Sequence, residues 1–166
     1  INPPVNTDRF KTIKKSDGEY YLVVSRFVPY KRIDLAIRAC NELDRELVVA
    51  GRGPELTKLK KIAGPTITFV DNPSDKKIDS LYRGARAFIF SAEEDFGITP
   101  IESMAAATPV ICYGTAGASE TVINDKTGVF HDKQTATSLK QAILKFEKME
   151  FSKEDMQNRA EEFSEN

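Results

Sequence analysis

Glu94 and Glu102, separated by seven residues that include Phe96 and Gly97, are the side chains best placed to do chemistry. Carboxylates can accept hydrogen bonds from the hydroxyls of a sugar or a ribose. Thr99, followed by Pro100 and then by Glu102 three residues on, also spells a helix start with a capping box. The free N–H groups at such an end attract phosphate. For Glu102, these residues alone leave pure capping and hydroxyl recognition equally open. Arg26 and Lys31 lie on one stretch, Ser25-Arg26-Phe27-Val28-Pro29-Tyr30-Lys31-Arg32. Two such cations suit a phosphate or diphosphate, although a solvated basic loop is the plainer account. Gly51 and Gly53 flank Arg52 ahead of Pro54, and either admit a ligand to the backbone or make a tight turn. Gly114 and Gly117 leave the same two readings. The dinucleotide fingerprint GxGxxG is not completed, so NAD is not indicated.

The elements that position these residues follow from two alternating periods. Short apolar runs at Tyr20–Val24, Glu46–Ala50, Thr66–Val70, Ala87–Phe90 and Pro109–Cys112 are too short for helices and too continuously apolar for half-exposed strands. Strands of a parallel sheet covered on both faces read this way. Between them run helical stripes: Ile33, Ala36, Ile37, Cys40, Leu43; then Leu56, Leu59, Ala63; then Ile78, Leu81, Tyr82, Ala85; and late, Leu139, Ala142, Ile143, Phe146. The alternation predicts an α/β fold, a Rossmann-like doubly wound parallel sheet of five to six strands flanked by helices. In such a sheet ligands bind beyond the carboxyl ends of the strands, where all the residues above fall. Residues 17–149 form the predicted domain. Residues 1–16 are Pro-rich at the start and show no core pattern, so they read as a linker. Residues 150–166 read as a charged helix or tail with Met156, Ala160 and Phe163 as a thin stripe. Both ends look made to pack against something else, as in a piece of a larger protein.

Composition narrows the function. The chain has 166 residues with 24 Lys and Arg against 25 Asp and Glu, a formal charge of −1. That balance gives no global attraction to nucleic acid. No apolar run reaches the roughly 18 residues of a membrane span, and a cytoplasmic location is expected. Cys40 and Cys112 belong to no CxxC pair and read as buried thiols. The single histidine, His131, follows Gly128-Val129-Phe130 and reads as a strand-end residue. Asp95-Phe96-Gly97 copies a kinase tripeptide and Asp125-Lys126-Thr127-Gly128 an ATPase one. Neither has its companion motifs. There is no DxD metal pair and no P-loop.

Taken in order, these motifs resemble the glycosyltransferase family 4 pattern of GT-B enzymes. Glu94 and Glu102 are similar to its E-x7-E motif, Arg26 and Lys31 to its donor-diphosphate cations, and Gly51-Arg52-Gly53-Pro54-Glu55 to its glycine-rich turn. Met104–Ile111 resembles the segment after E-x7-E, and Asp125–Val129 the late Thr-Gly turn. The chain departs from the pattern at Ser25 and Ala107, where relatives often carry Gly, and in Phe69-Val70-Asp71-Asn72-Pro73, which lacks one.

The resemblance implies the C-terminal, nucleotide-sugar-binding half of a retaining transferase, the N-terminal GT-B domain being absent from this chain. Arg26, Lys31 and Glu94 take the catalytic roles it assigns. The two cations would neutralise the diphosphate, and Glu94 would accept from donor-sugar hydroxyls. Phe96, Gly97, Ile98 and Thr99 would offer backbone N–H groups, Glu102 would hold the ribose, and Gly51 and Val70 would line the nucleotide. The resemblance implies metal-independent transfer of a hexose onto a glycan or lipid-linked acceptor. Mannose from GDP-mannose is the leading donor reading and a UDP-sugar the open one. It also implies an isolated chain that is inactive, and attachment to membranes, if any, through the absent domain. The competing reading is a Rossmann-like nucleotide-binding module without transfer chemistry.

Overall fold

A computed structural model describes residues 5–11, 18–94, 97–115 and 117–164. Six strands form one sheet: β1 (Tyr20–Arg26), β2 (Leu47–Arg52), β3 (Ile67–Asp71), β4 (Ala85–Phe90), β5 (Val110–Tyr113) and β6 (Gly128–His131). Every pairing is parallel, and the spatial order is β3-β2-β1-β4-β5-β6. The five apolar runs are therefore strands, and the run ending at His131 is the sixth. The chain winds outward from β1 to β3, then returns to lay β4 on the other side of β1. That reversal makes the gap between the ends of β1 and β4 the topological switch point, where open α/β sheets bind ligands.

Helices cover both faces. Helices α2 (Ile33–Leu43), α3 (Leu56–Ile62) and α7 (Ala136–Phe146) bury their stripes with Tyr21, Val23, Val49, Ile89 and Ile111. The opposite face takes α1 (Asp8–Lys11), α4 (Asp75–Gly84), α5 (Ile98–Ala105), α6 (Gly117–Thr121) and α8 (Lys153–Glu161). Full coverage explains why the strands are apolar at successive positions rather than at alternate ones.

The two ends differ from their sequence reading. Val5 and Phe10 are buried in the core, and Phe10 meets Tyr82 edge to face with centroids 5.6 Å apart. Met156 and Ala160 of α8 are buried on the same face, and Val5 N donates to Phe163 O at 2.9 Å. The terminal segments thus pack on this domain and on each other. A single turn such as α1 is too short to show a helical period, which hid it in the sequence.

Ala107, one departure from the family pattern, adopts a left-handed conformation with φ 61°. A side chain there is crowded, which is why Gly suits the position.

Candidate functional site

The switch point carries a narrow pocket lined by Ser25 near the end of β1, by Phe90 at the end of β4 with Ser91 and Ala92 after it, and by Lys31 and Arg32. A 3-10 turn at Pro29–Lys31 aims Lys31 here, and Arg32, at φ 50°, ends the turn and begins α2. Lys31 Nζ donates to Glu94 Oε1 at 2.7 Å. The ammonium also stands over the Tyr30 and Phe90 rings, 5.2 and 5.8 Å from their centroids. Both charged side chains are about four-fifths buried. Two of the sequence's candidates, 63 residues apart, are thereby in direct contact.

The loop carrying Glu94 is tied down on three sides. The Glu94 carbonyl accepts from Gly117 N at 2.6 Å, and the Ser91 carbonyl from Gln134 Nε2 at 2.9 Å. Ser91 Oγ lies 3.1 Å from His131 Nε2, and His131 Nδ1 lies 2.8 Å from the Lys133 carbonyl. A carbonyl only accepts, so Nδ1 carries the proton and Nε2 accepts from the Ser91 hydroxyl. Burial holds His131 below the usual imidazole range and keeps it neutral. His131 ends β6 as the sequence suggested, but its link to Ser91 crosses β5 and has no sequence signal.

The start of α5 corrects the capping-box reading. The helix begins at Ile98 with Gly97 as its N-cap, and among the described residues no side chain caps it. Pro100 is the third helical residue, not the first, and Glu102 lies past the first turn. The turn therefore keeps the amide N–H groups of Ile98 and Thr99 free of side-chain caps, facing back toward the Glu94 loop. Of the other two backbone donors expected from sequence, Gly97 is the N-cap itself and Phe96 lies outside the described residues.

Glu102 is mostly buried on the α1 and α4 side of α5. Burial pushes its carboxyl up to about 7, opposed by the Arg9 guanidinium and reinforced by Asp79 and Asp75. Arg9 is held there by Asp79 Oδ1, with donor distances of 3.0 and 2.7 Å, and by the Asp75 carbonyl. Sequence reasoning missed Arg9, because it belongs to the unpatterned opening segment.

The remaining candidates lie along the carboxyl edge of the sheet. Arg26 is exposed at the end of β1 and pairs in register with Arg52. Gly51 pairs with Ser25 on one side and Asp71 on the other. Its φ is 142°, and a Cβ there would sit 1.8 Å from the Ser25 carbonyl oxygen, so only Gly fits. Val70, half-buried near the end of β3, pairs with Ala50. Cys40 and Cys112 are buried free thiols, their ionisation pushed up by burial, and Cys112 pairs in register with Phe90. Among the described residues no helix is long and apolar enough to cross a membrane. Nor does any group of three or more His, Cys, Asp or Glu among them form a metal cage.

Several known proteins share this architecture. An uncharacterized glycosyltransferase of Methanocaldococcus jannaschii is 28% identical over 93% of this chain and 46% of its own length. A GDP-mannose-dependent alpha-(1-6)-phosphatidylinositol monomannoside mannosyltransferase of Mycobacterium tuberculosis is 28% identical over 86% and 45%. Among solved structures, a glycosyltransferase from Rickettsia africae superposes with TM-score 0.85 at 22% identity, over 99% of this chain and 52% of that one. HepE of Anabaena, in complex with UDP and glucose, superposes with TM-score 0.83 at 16% identity, over 97% and 51%. This chain spans about half the length of the curated relatives it matches, and its fold is that of one half of a GT-B enzyme. The model for glycosyl transferases group 1 matches residues 4–163, and the chain belongs to that family.

Proposed function

We propose that this chain is the donor-binding half of a retaining glycosyltransferase that takes a hexose from a nucleoside diphosphate sugar. The observation that carries the reading is the Lys31–Glu94 ion pair at the switch point, beside the uncapped start of α5. A cation and a carboxylate paired at this point are set for a ligand that is anionic at one end and hydroxylated at the other. Lys31 and Arg26 hold the diphosphate. Glu94 turns to the sugar hydroxyls, and the N–H groups of Ile98 and Thr99 complete the cradle. Glu102 accepts from the ribose, while Gly51 and Val70 admit the nucleotide along the sheet edge.

In the transfer, the bond between the anomeric carbon and the departing phosphate oxygen breaks. An acceptor oxygen forms the new bond on the same face, and its proton passes to the departing phosphate. Lys31 and Arg26 stabilise the charge that develops on that phosphate, and no metal takes part. The acceptor, a glycan or lipid-linked sugar, is held by a second GT-B domain. This chain alone binds donor without transferring it, because closure of the two halves assembles the site. The finer donor reading is mannose from GDP-mannose, supported by the name of the mycobacterial relative. A UDP-sugar is the second donor reading, favoured by the UDP and glucose bound to HepE.

Calorimetric titration with GDP, UDP, ADP and NAD tests this. One nucleoside diphosphate should bind selectively, and Glu102→Ala should abolish that binding. Equal binding of all four, or none even in a chain joined to its second half, overturns the reading in favour of a module without transfer chemistry.

A further inference from the structure

The register of the sheet sets two guanidinium groups side by side where the donor reading needs one. Arg26 and Arg52 are Cα partners on β1 and β2, and partners in a parallel pair are roughly 4.8 Å apart with side chains on the same face. The register is pinned through this last pair, because Phe27 N donates to the Arg52 carbonyl at 2.8 Å. Both side chains are exposed. Among the described residues neither guanidinium has a hydrogen bond or ion pair. Other arginines here are engaged: Arg9 with Asp79, Arg32 with Asp34, Arg45 with Glu147, Arg159 with Glu162.

Like charges in register on neighbouring strands oppose folding, and no acid among the described residues lies within ion-pair distance of either. Glu55 is 3.7 Å from Lys58, and Glu94 is taken by Lys31. The glycines on either side of Arg52 hold its backbone hard against Ser25 and Phe27, where Cβ atoms would lie 1.8 and 2.6 Å from their carbonyl oxygens. Arg52 is therefore presented by a closely packed turn. Along the carboxyl edge it stands between Arg26 on β1 and the Val70–Asp71 end of β3.

We propose that Arg52 is a second diphosphate-holding arginine, which closes with Arg26 on one anionic group in a two-guanidinium clamp. The proposal rests on the donor-site reading and adds to it a residue to which the family pattern assigns no such role. Two planar forks can grip neighbouring phosphate oxygens bidentately, and an anion between them turns their repulsion into binding.

The test is titration of the chain and of Arg52→Ala, Arg52→Lys, Arg26→Ala and Arg38→Ala with GDP, UDP and inorganic pyrophosphate, alongside thermal unfolding without ligand. Arg38, exposed on α2, controls for loss of one positive charge. Arg52→Ala is expected to weaken the favoured nucleotide and pyrophosphate alike by about tenfold or more, with Arg52→Lys partly restoring both. Without ligand, its unfolding temperature should be equal to or above that of the parent, since a repulsion is removed. A loss no larger than that of Arg38→Ala overturns the proposal. So does a loss of GDP-over-UDP preference with pyrophosphate affinity intact, which would make Arg52 a reader of the base. If Arg26→Ala also leaves every affinity unchanged, the donor-site reading itself falls.

Discussion

Lys31 Nζ and Glu94 Oε1 lie 2.7 Å apart across the switch point, joining the loop after β1 to the loop after β4. The pair sits between the exposed and the buried limits of ion-pair behaviour. Lys31→Ala should weaken nucleoside diphosphate binding by about 1.5–3 kcal/mol, the range for charge-assisted hydrogen bonds. Glu94→Gln should leave diphosphate affinity nearly intact yet abolish discrimination between a nucleotide sugar and the bare nucleotide. Titrations of both variants with nucleoside diphosphate and nucleotide sugar check this. Equal losses for both ligands in Glu94→Gln would remove Glu94 from sugar recognition.

Glu102 makes a pH-dependent prediction. Its folded carboxyl titrates at about 7 against 4.5 for an ordinary glutamate, chiefly through burial, with Arg9 opposing and Asp79 and Asp75 reinforcing. A raised acid costs nothing below the unfolded value and destabilises increasingly as pH climbs through the folded one. Without ligand the chain should therefore lose stability between about pH 4.5 and 7.5 from this group, and Glu102→Gln should flatten that slope. An ionised carboxylate accepts from both ribose hydroxyls more strongly than a protonated one, so nucleotide binding should favour the ionised form and release protons near pH 6.5. Calorimetry in buffers of differing ionisation enthalpy measures that release, which should vanish in Glu102→Gln.

At the amino end of the sheet, Glu147 accepts from Tyr21 Oη at 2.7 Å and from Arg45 Nε and Nη2 at 2.8 and 2.9 Å, with Arg86 3.4 Å away. The Arg45 hydrogen bond above all holds its carboxyl below the usual range. This stabilisation is present above the unfolded carboxylate pKa and is lost as pH falls through the lowered one. Glu147→Ala should cost about 2–4 kcal/mol in denaturant unfolding at pH 7, and less at pH 3. Nucleotide affinity should not change, because the network lies at the end of the sheet away from the cleft.

Ala107 offers a stabilising change. At φ 61° it bears a strain of about 1–2 kcal/mol that Gly would not, partly offset by the greater freedom of Gly in the unfolded chain. Ala107→Gly should gain about 0.5–1 kcal/mol, measured as a higher denaturant midpoint with an unchanged slope. Gly51→Ala is its opposite. With 1.8 Å to the Ser25 carbonyl oxygen, it should lower the unfolding temperature sharply and weaken nucleotide binding.

The strands and long helices were legible because a two-sided parallel sheet writes continuous apolar runs and its helices write stripes. Lys31, Glu94 and the glycine turn were legible as residue types in strand-to-helix loops, but their contact was not. The start of α5 was misplaced because Thr99 and Glu102 imitate a capping box, while the structure leaves Gly97 as an uncapped N-cap. Burial of Val5 and Phe10 has no sequence signal because one helical turn has no period. The Ser91–His131 hydrogen bond depends on strand order, which no local pattern encodes.

Val5 and Ser164 form a parallel bridge, and α1 and α8 both pack on α5. The first and last described segments of the chain therefore meet as parallel neighbours, and their helices both pack on the helix that bears Glu102. A pull applied between them loads that junction in shear. In an optical trap, the first rupture should be the peeling of α1 or α8 from α5, well before the sheet opens. Nucleotide held by α5 should raise the force at which it happens, so that tension and donor act on a common spring.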